Sequence, residues 1–257
     1  MGFIPQKMKR IEQAKRNCGA AFVASFSHSL RRMELQEEAR LVYQGLLQMH
    51  GEIPRVSRRE PMHELISTML SHKTSGKNED LAYARMWQKF GSWEAIRDAP
   101  VSELVDAIAA SNYPEVKAPN IQKTLAFIIA ERGEARIDFL ADIPTEDALT
   151  WLVKLPGVGV KTATLTLLFC FGKSVLPVDT HLHRVSGRLG LIGPKISADK
   201  AHRELLALLP HDDHVLFNFH IGMLKHGQKI CVWNTPRCDK CLLTEICDYF
   251  RANKPNS

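Results

Sequence analysis

Nine residues, LPGVGVKTA at positions 155–163, decide the fold of this chain. Two glycines and a proline fall within five residues, and segments with the length and apolar spacing of helices lie on both sides. The pattern predicts a tight hairpin between two helices, the second at residues 162–171. Gly157 and Gly159 would let an anion reach the N–H groups at a helix start. A compact turn with Gly157 in the left-handed conformation explains the same glycines, so the hairpin alone leaves its function open.

Helical segments follow one another along the chain. No convincing strand pattern interrupts them, so we predict an all-α fold. The apolar periodicity is broken at four residues, namely Gly91, Pro100, Pro114 and Gly133. Further helices are predicted at residues 34–49, 62–71, 77–90, 102–110, 119–132, 145–155, 180–190, 198–209 and 213–226. Three residues stand where N-caps are expected, namely Ser102, Thr145 and Ser197.

Composition narrows the class of protein only modestly. The 257 residues carry 34 Lys and Arg against 28 Asp and Glu, a net charge of +6. This balance suits a polyanionic partner without establishing one. No apolar run reaches the roughly 18 residues that a membrane-spanning helix needs, so we expect a soluble globular protein with no membrane partner.

Residues 1–32 form a basic N-terminal extension, with seven Lys and Arg and one acid, Glu12. Such a segment is typical of an organellar transit peptide or a nucleic-acid-binding arm, and a poorly ordered extension explains it equally well. It lacks the long apolar core of a secretion signal. We therefore expect a location in the bacterial cytoplasm with the nucleoid, and organellar targeting stays open.

A cysteine-rich loop near the C-terminus has the spacing C-x6-C-x2-C-x5-C. Four thiolates within 17 residues can converge on one metal centre, and the ligands are Cys231, Cys238, Cys241 and Cys247. Disulfides are the alternative, but the leftover Cys18 and Cys170 and the missing secretion signal favour a reducing compartment. Zinc sites usually contain two C-x2-C pairs, and only one pair here has that spacing, so we predict a [4Fe-4S] cluster.

Lys161 opens the second helix of the hairpin, and Asp179 stands where the next helix begins. Taken alone, Lys161 is explained as a solvated lysine and Asp179 as an aspartate that caps a helix. The hairpin, the lysine, the aspartate and the cysteine loop occur together in this order and at these separations. That combination indicates that these residues have a function beyond solvation and helix capping.

These motifs resemble those of the endonuclease III family of helix-hairpin-helix DNA glycosylases. The family's L-P-G-V-G-x-K-T-A, V-D-T-H and cysteine spacing match residues 155–163, 178–181 and 231–247, and the resemblance covers residues 33–249. It implies two helical lobes. One is a six-helix barrel domain with the hairpin at residues 54–173, and the other is a cluster domain from residues 33–53 and 174–257. DNA would bind across the cleft between them, with the damaged nucleotide flipped toward Lys161 and Asp179.

The resemblance also implies a bifunctional DNA glycosylase and AP lyase of base excision repair. It would act as a monomer on double-stranded DNA that contains damaged bases or abasic sites. The carboxylate of Asp179 would stabilise the positive charge that develops on the sugar. The neutral amine of Lys161 would attack the anomeric carbon, expel the base and leave an imine that permits β-elimination. The family's adenine-removing branch lacks this lysine.

Two DNA-probing loops depart from the family pattern. Lys73 stands where the family has a glutamine that fills the gap left by the flipped base, and Asn112 replaces the leucine of a Leu-Tyr pair. Val160 replaces a common arginine of the hairpin, which removes one phosphate contact. We predict oxidised pyrimidines as substrates. A mismatch, a plain abasic site, or a non-catalytic lesion-binding role stays an alternative. DNA contacts are predicted for Gly157, Gly159, Lys73, Asn112, Tyr113, His181, Arg237 and Lys240, the last two facing outward from the cysteine loop.

Overall fold

The structure is a computed structural model that describes residues 20–54 and 60–253, with side chains from residue 29 onward. Its first helix, α1, is Ala20–His50. This helix takes in residues 20–32 of the predicted N-terminal extension, where Ala, Leu and Arg are good helix formers. The rest of that extension, including Cys18, lies outside the described residues.

The described residues form helices connected by short loops, which confirms the predicted all-α class. After α1 the helices are α2 Pro61–Ser71, α3 Gly76–Phe90, α4 Trp93–Asp98, α5 Val101–Ala107, α6 Pro114–Arg132, α7 Thr145–Leu152, α8 Val160–Phe171, α9 Thr180–Leu189, α10 Ala198–Leu206, α11 Asp213–Lys229 and α12 Asp248–Ala252. Short 3-10 turns occur at Asp138–Ala141, Cys238–Lys240 and Thr244–Ile246. No described helix has the length and apolar character needed to cross a membrane.

Two of the three predicted N-caps were wrong. Ser102 and Thr145 lie inside α5 and α7, whose N-caps are Pro100 and Pro144, because a proline just before a helix already presets the backbone. Ser197 does cap α10, and its side chain accepts a hydrogen bond from the N–H of Lys200.

Proline also explains a second error, in a helix boundary. Helix α6 begins at Pro114, where the missing N–H costs no helical hydrogen bond, and it continues through Pro119. The sequence had placed a break at the first proline and a start at the second. Helix α4, with only six residues, was not predicted at all.

Two groups of helices pack around buried aliphatic side chains. In the first group, α2 contacts α3, α6 and α8, while α6 also contacts α4 and α5. Leu65, Ile66, Ile121 and Leu125 are fully buried there. In the second group, α11 contacts α1 and α9, and α12 lies against α9. Helix α8 touches both groups through α11, and Phe169 near the C-terminal end of α8 packs edge-on against Phe217 of α11.

Candidate active site

The hairpin between α7 and α8 contains two glycines with different structural demands. Gly157 has φ 77°, and a Cβ there would lie 3.0 Å from Cβ of Asn120. Gly159, the N-cap of α8, has φ −94°, and a Cβ there would meet no atom within 4 Å. Turn geometry and packing therefore explain Gly157 but not Gly159. The second glycine leaves open space in front of a helix N-terminus, where an anion can approach the backbone.

Helix α6 holds the hairpin in place. The hydroxyl of Thr124 donates a hydrogen bond to the carbonyl of Pro156 at 2.7 Å. Thr124 and Val158 are both buried, while the two hairpin glycines are exposed. The turn thus presents its backbone to solvent and anchors its apolar side in the core.

Lys161 is the second residue of α8 and is partly buried. It lines a cleft of about 480 Å³ at the surface of the first helix group. The lining residues share apolar or cationic character, and none of those described carries a carboxylate; they are Met69, His72, Lys73, Tyr113, Val116, Lys117, Asn120, Gly157 and Lys161. A ligand entering this cleft meets three lysine ammonium groups.

Asp179 caps α9, as predicted. Its Oδ1 accepts hydrogen bonds from the N–H groups of His181 and Leu182, both at 2.8 Å. The described residues give Oδ2 no hydrogen bond. Capping therefore fixes the orientation of the carboxylate while one oxygen stays available to meet positive charge.

Two buried histidines support the segment that leads to Asp179. Nδ1 of His202 donates to the carbonyl of Leu176 at 2.8 Å, and Nδ1 of His220 donates to the carbonyl of Pro177 at 3.0 Å. A carbonyl can only accept, so both imidazoles carry their proton on Nδ1. Burial lowers the pKa of both rings, with smaller contributions from nearby charges.

The charges of Lys161 and Asp179 both act on the buried His220. The aspartate raises the pKa of that imidazole and the lysine lowers it, although burial is the larger cause and the pKa lies below its usual value. Both charges are therefore near enough to this one buried ring to affect its pKa. Sequence reasoning missed His202 and His220, since a histidine on an apolar helix face gives no distinctive signal.

His72 connects a probing loop to the start of α8. Its Nε2 lies 3.0 Å from Oγ1 of Thr162, the residue after Lys161. Burial, with smaller contributions from the positive charges of Lys161 and Lys117, lowers the pKa of His72 to about 4. The ring is therefore neutral at neutral pH and serves as a hydrogen-bonding group rather than a charge.

The three loop residues predicted to contact DNA, Lys73, Asn112 and Tyr113, lie together in the structure. Lys73 and Tyr113 have φ of 53° and 58°, a left-handed conformation that is uncommon outside glycine. The side-chain amide of Asn112 donates to the carbonyl of Lys73. The ammonium of Lys73 lies 5.4 Å from the centre of the Tyr113 ring, which is 53% exposed. Residues 72–74 and 111–113 therefore form one projecting element, called the wedge below.

The four predicted cysteine ligands are free thiols that line one cavity. No group of three or more metal-binding side chains among the described residues converges closely enough to hold a single ion. A tetrahedral zinc ion requires sulfur at about 2.3 Å from one point. Four thiols that line one cavity supply the donor set that an iron-sulfur cluster uses.

Donor groups around the cavity point at its sulfur atoms. Nη1 of Arg188 donates to Sγ of Cys231 at 3.3 Å, and the N–H of Leu243 donates to Sγ of Cys241 at 3.4 Å. Nε2 of His226 lies 3.6 Å from the same Cys241 sulfur. Hydrogen bonds to sulfur are typical of cluster-bound thiolates, so this set of residues fits a [4Fe-4S] group.

The remaining predicted DNA contacts lie in the second helix group. His181 is partly buried, and its Nδ1 is 3.3 Å from Nη2 of Arg184, which also bonds the carbonyl of Gly227 at 2.8 Å. Arg237 and Lys240 are exposed on the cysteine loop. These two side chains face outward as expected, while His181 has protein contacts that need no DNA.

The fold and site define a helix-hairpin-helix protein with a lysine and a capping aspartate at two helix starts. The chain matches the HhH-GPD superfamily of base excision DNA repair proteins over residues 66–211, and it belongs to this family.

Individual relatives agree with that assignment. The chain is 31% identical to endonuclease III of Thermotoga maritima over 217 residues, which cover 84% of this chain and 93% of the relative. It is 28% identical to endonuclease III of Escherichia coli over 189 residues, which cover 74% of this chain and 84% of the relative.

A solved structure of a trapped covalent intermediate between endonuclease III and DNA superposes with a TM-score of 0.72 at 26% identity. The match covers 84% of this chain and 97% of that one. The predicted fold class and the resemblance to the endonuclease III family are confirmed. The protein is a DNA-binding glycosylase and AP lyase of base excision repair.

Proposed function

We propose that Lys161 is the nucleophile and Asp179 the electrostatic partner in the removal of oxidised pyrimidines from double-stranded DNA. The observation that carries the proposal is their position at two helix starts, the lysine in the first turn of α8 and the aspartate at the N-cap of α9. Lys161 lines an open cleft, and Asp179 is oriented by two backbone N–H groups.

The chemistry follows from these positions. The deprotonated amine of Lys161 attacks the anomeric carbon, the N-glycosidic bond breaks, and its electron pair leaves with the base. The carboxylate of Asp179 stabilises the positive charge that develops on the sugar as that bond lengthens. Loss of the ring oxygen bond then gives an imine, and removal of a proton from the adjacent carbon permits β-elimination of the 3′ phosphate.

The composition of the cleft supports the class of lesion. Its described lining offers the side chains of Lys73 and Asn120 as donors and contains no carboxylate. Oxidised pyrimidines carry carbonyl and hydroxyl oxygens that accept hydrogen bonds from such donors. A plain abasic site has no base that could bond to this lining. Activity on a duplex with an oxidised pyrimidine and on one with an abasic site therefore distinguishes the two substrates.

Borohydride trapping tests the proposal. Wild-type protein should form a covalent adduct with duplexes that contain thymine glycol or an abasic site, and peptide mapping should place the adduct on Lys161. Lys161→Gln should form no adduct and cut no strand while binding the same DNA, because only the amine is lost. Lys154→Gln, at an exposed lysine just before the hairpin, is the matched control and should trap normally.

The outcomes separate the alternatives. Adducts on abasic DNA alone would indicate an AP-site-directed enzyme. Undiminished strand cleavage by Lys161→Gln would move the nucleophile elsewhere. Binding to both duplexes by the wild type without any adduct would favour a non-catalytic lesion-binding role.

We also propose that Cys231, Cys238, Cys241 and Cys247 hold a [4Fe-4S] cluster, supported by the shared cavity and the donors around it. When bound, the cluster crosslinks a loop that has few buried apolar side chains of its own. Protein purified without oxygen should be yellow-brown and contain iron and sulfide in near-equal amounts. Zinc without iron in freshly prepared protein would refute the cluster.

The remaining proposals concern the whole molecule. We propose a hairpin domain at residues 54–173 and a cluster domain from residues 33–53 and 174–257, with damaged DNA across the cleft between them. Open space at Gly159 supports a phosphate contact by the hairpin, and outward-facing Arg237 and Lys240 support contacts by the cysteine loop. The protein would act as a monomer associated with the nucleoid. Sedimentation with and without DNA tests the monomer.

A further inference from the structure

Lys117, on α6, is a buried lysine that the sequence did not single out. The residue is only 7% exposed. Its ammonium donates to the carbonyls of Leu70 and His72 at 2.6 and 2.8 Å, and to the hydroxyls of Ser111 and Thr74 at 2.7 and 3.0 Å. None of these partners is a carboxylate, although lysine is rarely buried without a charged partner.

The partners of Lys117 come from two stretches of chain, residues 70–74 and Ser111. The carbonyls of Leu70 and His72 lie at the C-terminal end of α2, where helix carbonyls lack internal partners and the helix dipole favours a cation. Thr74 belongs to the first wedge loop and Ser111 to the second. One ammonium therefore joins the end of α2 to both loops.

Further hydrogen bonds complete the connection. The hydroxyl of Ser111 donates to the carbonyl of Leu70 at 2.9 Å, and the N–H of Asn112 donates to the hydroxyl of Thr74 at 3.0 Å. Lys73 and Tyr113, the exposed residues of the wedge, both keep a left-handed backbone. Such a conformation persists only where surrounding contacts enforce it, and here the contacts converge on Lys117.

We propose that Lys117 is a positioning residue that locks the two loops into one wedge and so controls extrusion of the damaged nucleotide. The inference rests on the proposed function of the cleft, because the wedge matters only if a base leaves the duplex. Lys117 would act through Lys73, Asn112 and Tyr113 and would not contact the reacting atoms.

Lys117 lines the same cleft as Lys161 but cannot replace it as a nucleophile. An ammonium has three N–H donors, and all of them have acceptors within hydrogen-bonding distance. Burial lowers the pKa of Lys117 to about 8, but these hydrogen bonds hold the group against the protein and away from a substrate. Imine formation should therefore depend on Lys161 alone.

Comparison of two substrates tests the positioning role in the full-length protein. Lys117→Met keeps the length of the side chain and removes the charge. Release of thymine glycol opposite adenine in a duplex should fall by on the order of 10²-fold, the effect of a misplaced wedge. Borohydride trapping on a preformed abasic site in single-stranded DNA, which needs no extrusion, should change by less than about threefold. Lys123→Met, at an exposed lysine on the same helix, should behave as wild type on both.

A spectroscopic readout follows the wedge itself. With 2-aminopurine placed opposite the lesion, wild-type protein at saturating concentration should raise the fluorescence by unstacking that base, and Lys117→Met should not. Equal losses on both substrates, or no loss on either, would overturn the inference. A wild type that traps neither substrate would refute the proposed function, while the fluorescence comparison would still test the wedge.

A second pair of variants covers the case in which Lys117→Met does not fold. Thr74→Val removes one acceptor of the ammonium without changing the shape of the side chain, and Thr74→Ser keeps the hydroxyl. The valine variant should lose roughly tenfold in duplex excision, as expected for one charge-assisted hydrogen bond, and the serine variant should retain activity. Equal activity of the two variants would contradict the connection through Lys117.

Discussion

The hairpin that carries Lys161 and the wedge that carries Lys73 and Tyr113 face the same cleft but are held in different ways. In the hairpin, the left-handed conformation falls on Gly157, where it causes no steric strain. In the wedge, it falls on two residues with side chains. The start of α8 and a hydrogen bond from Thr124 of α6 hold the hairpin in place, whereas a network of polar side chains around one buried ammonium holds the wedge.

The difference separates the chemistry from the recognition of the lesion. Lys161 and Asp179 take their positions from regular backbone, the second residue of α8 and the N-cap of α9. Single substitutions elsewhere do not easily move a helix start. The wedge depends on individual hydrogen bonds, so one substitution can redirect it. The departures from the family pattern at Lys73 and Asn112 occur in this part of the cleft.

Asp179→Asn should have the largest effect among the variants that probe this comparison. Base release should slow by a factor on the order of 10² or more, since the negative charge is lost at the developing cation. Stability should change little, because asparagine is also a good N-cap. Asp212→Asn, at the N-cap of α11, is the matched control and should leave base release unchanged. Single-turnover rates and thermal unfolding of both variants measure this, and equal slowing in both would assign the effect to capping.

The two hairpin glycines should respond differently to alanine. Gly157→Ala should lower the free energy of unfolding by about 1 to 2 kcal/mol, because alanine resists a positive φ. Gly159→Ala should cost less than about 1 kcal/mol but weaken DNA binding roughly tenfold, the equivalent of one charge-assisted hydrogen bond. Denaturant unfolding measures the stability of both variants, and DNA titration measures their affinity. Unchanged DNA affinity in Gly159→Ala would show that no phosphate approaches there.

Lys73→Gln should improve recognition of the orphan base opposite an oxidised pyrimidine. An ammonium can only donate hydrogen bonds, whereas an amide can both donate and accept toward the orphan base. Activity on oxidised pyrimidine opposite adenine should rise, and the slope of log affinity against log salt should fall by about one, since one cation is lost. Lys77→Gln, at the exposed start of α3, is the control. No change in either quantity would mean that Lys73 does not probe the lesion.

The smallest effect concerns pH. The pKa of His72 falls from 6.5 to about 4 on folding, so the unfolded chain binds a proton between these values that the folded chain does not. Its contribution to stability is complete above pH 6.5 and is lost as the pH falls toward 4. His72→Gln should flatten the pH dependence of unfolding in this window by up to one proton. Chemical denaturation of both proteins at several pH values measures the difference, and parallel curves would contradict it.

Local sequence signals predicted the parts of the site that depend on local backbone. The glycines of the hairpin, the cap at Asp179 and the cap at Ser197 each follow from residues next to them in sequence. Lys117 could not be predicted, because a lysine on a helix is normally solvated and its partners lie up to 47 residues away. His202 and His220 were missed for the same reason, since they bond carbonyls on a distant segment.

Helix α9 connects the proposed catalytic aspartate to the cysteine loop. Asp179 caps its first turn, and Arg188, near its last residue, donates to Sγ of Cys231 and to the carbonyls of Val232 and Trp233. Ten residues of helix make a rod roughly 15 Å long. The loop fixes the C-terminal end of this helix. The orientation of the Asp179 carboxylate therefore depends on contacts at both ends of α9.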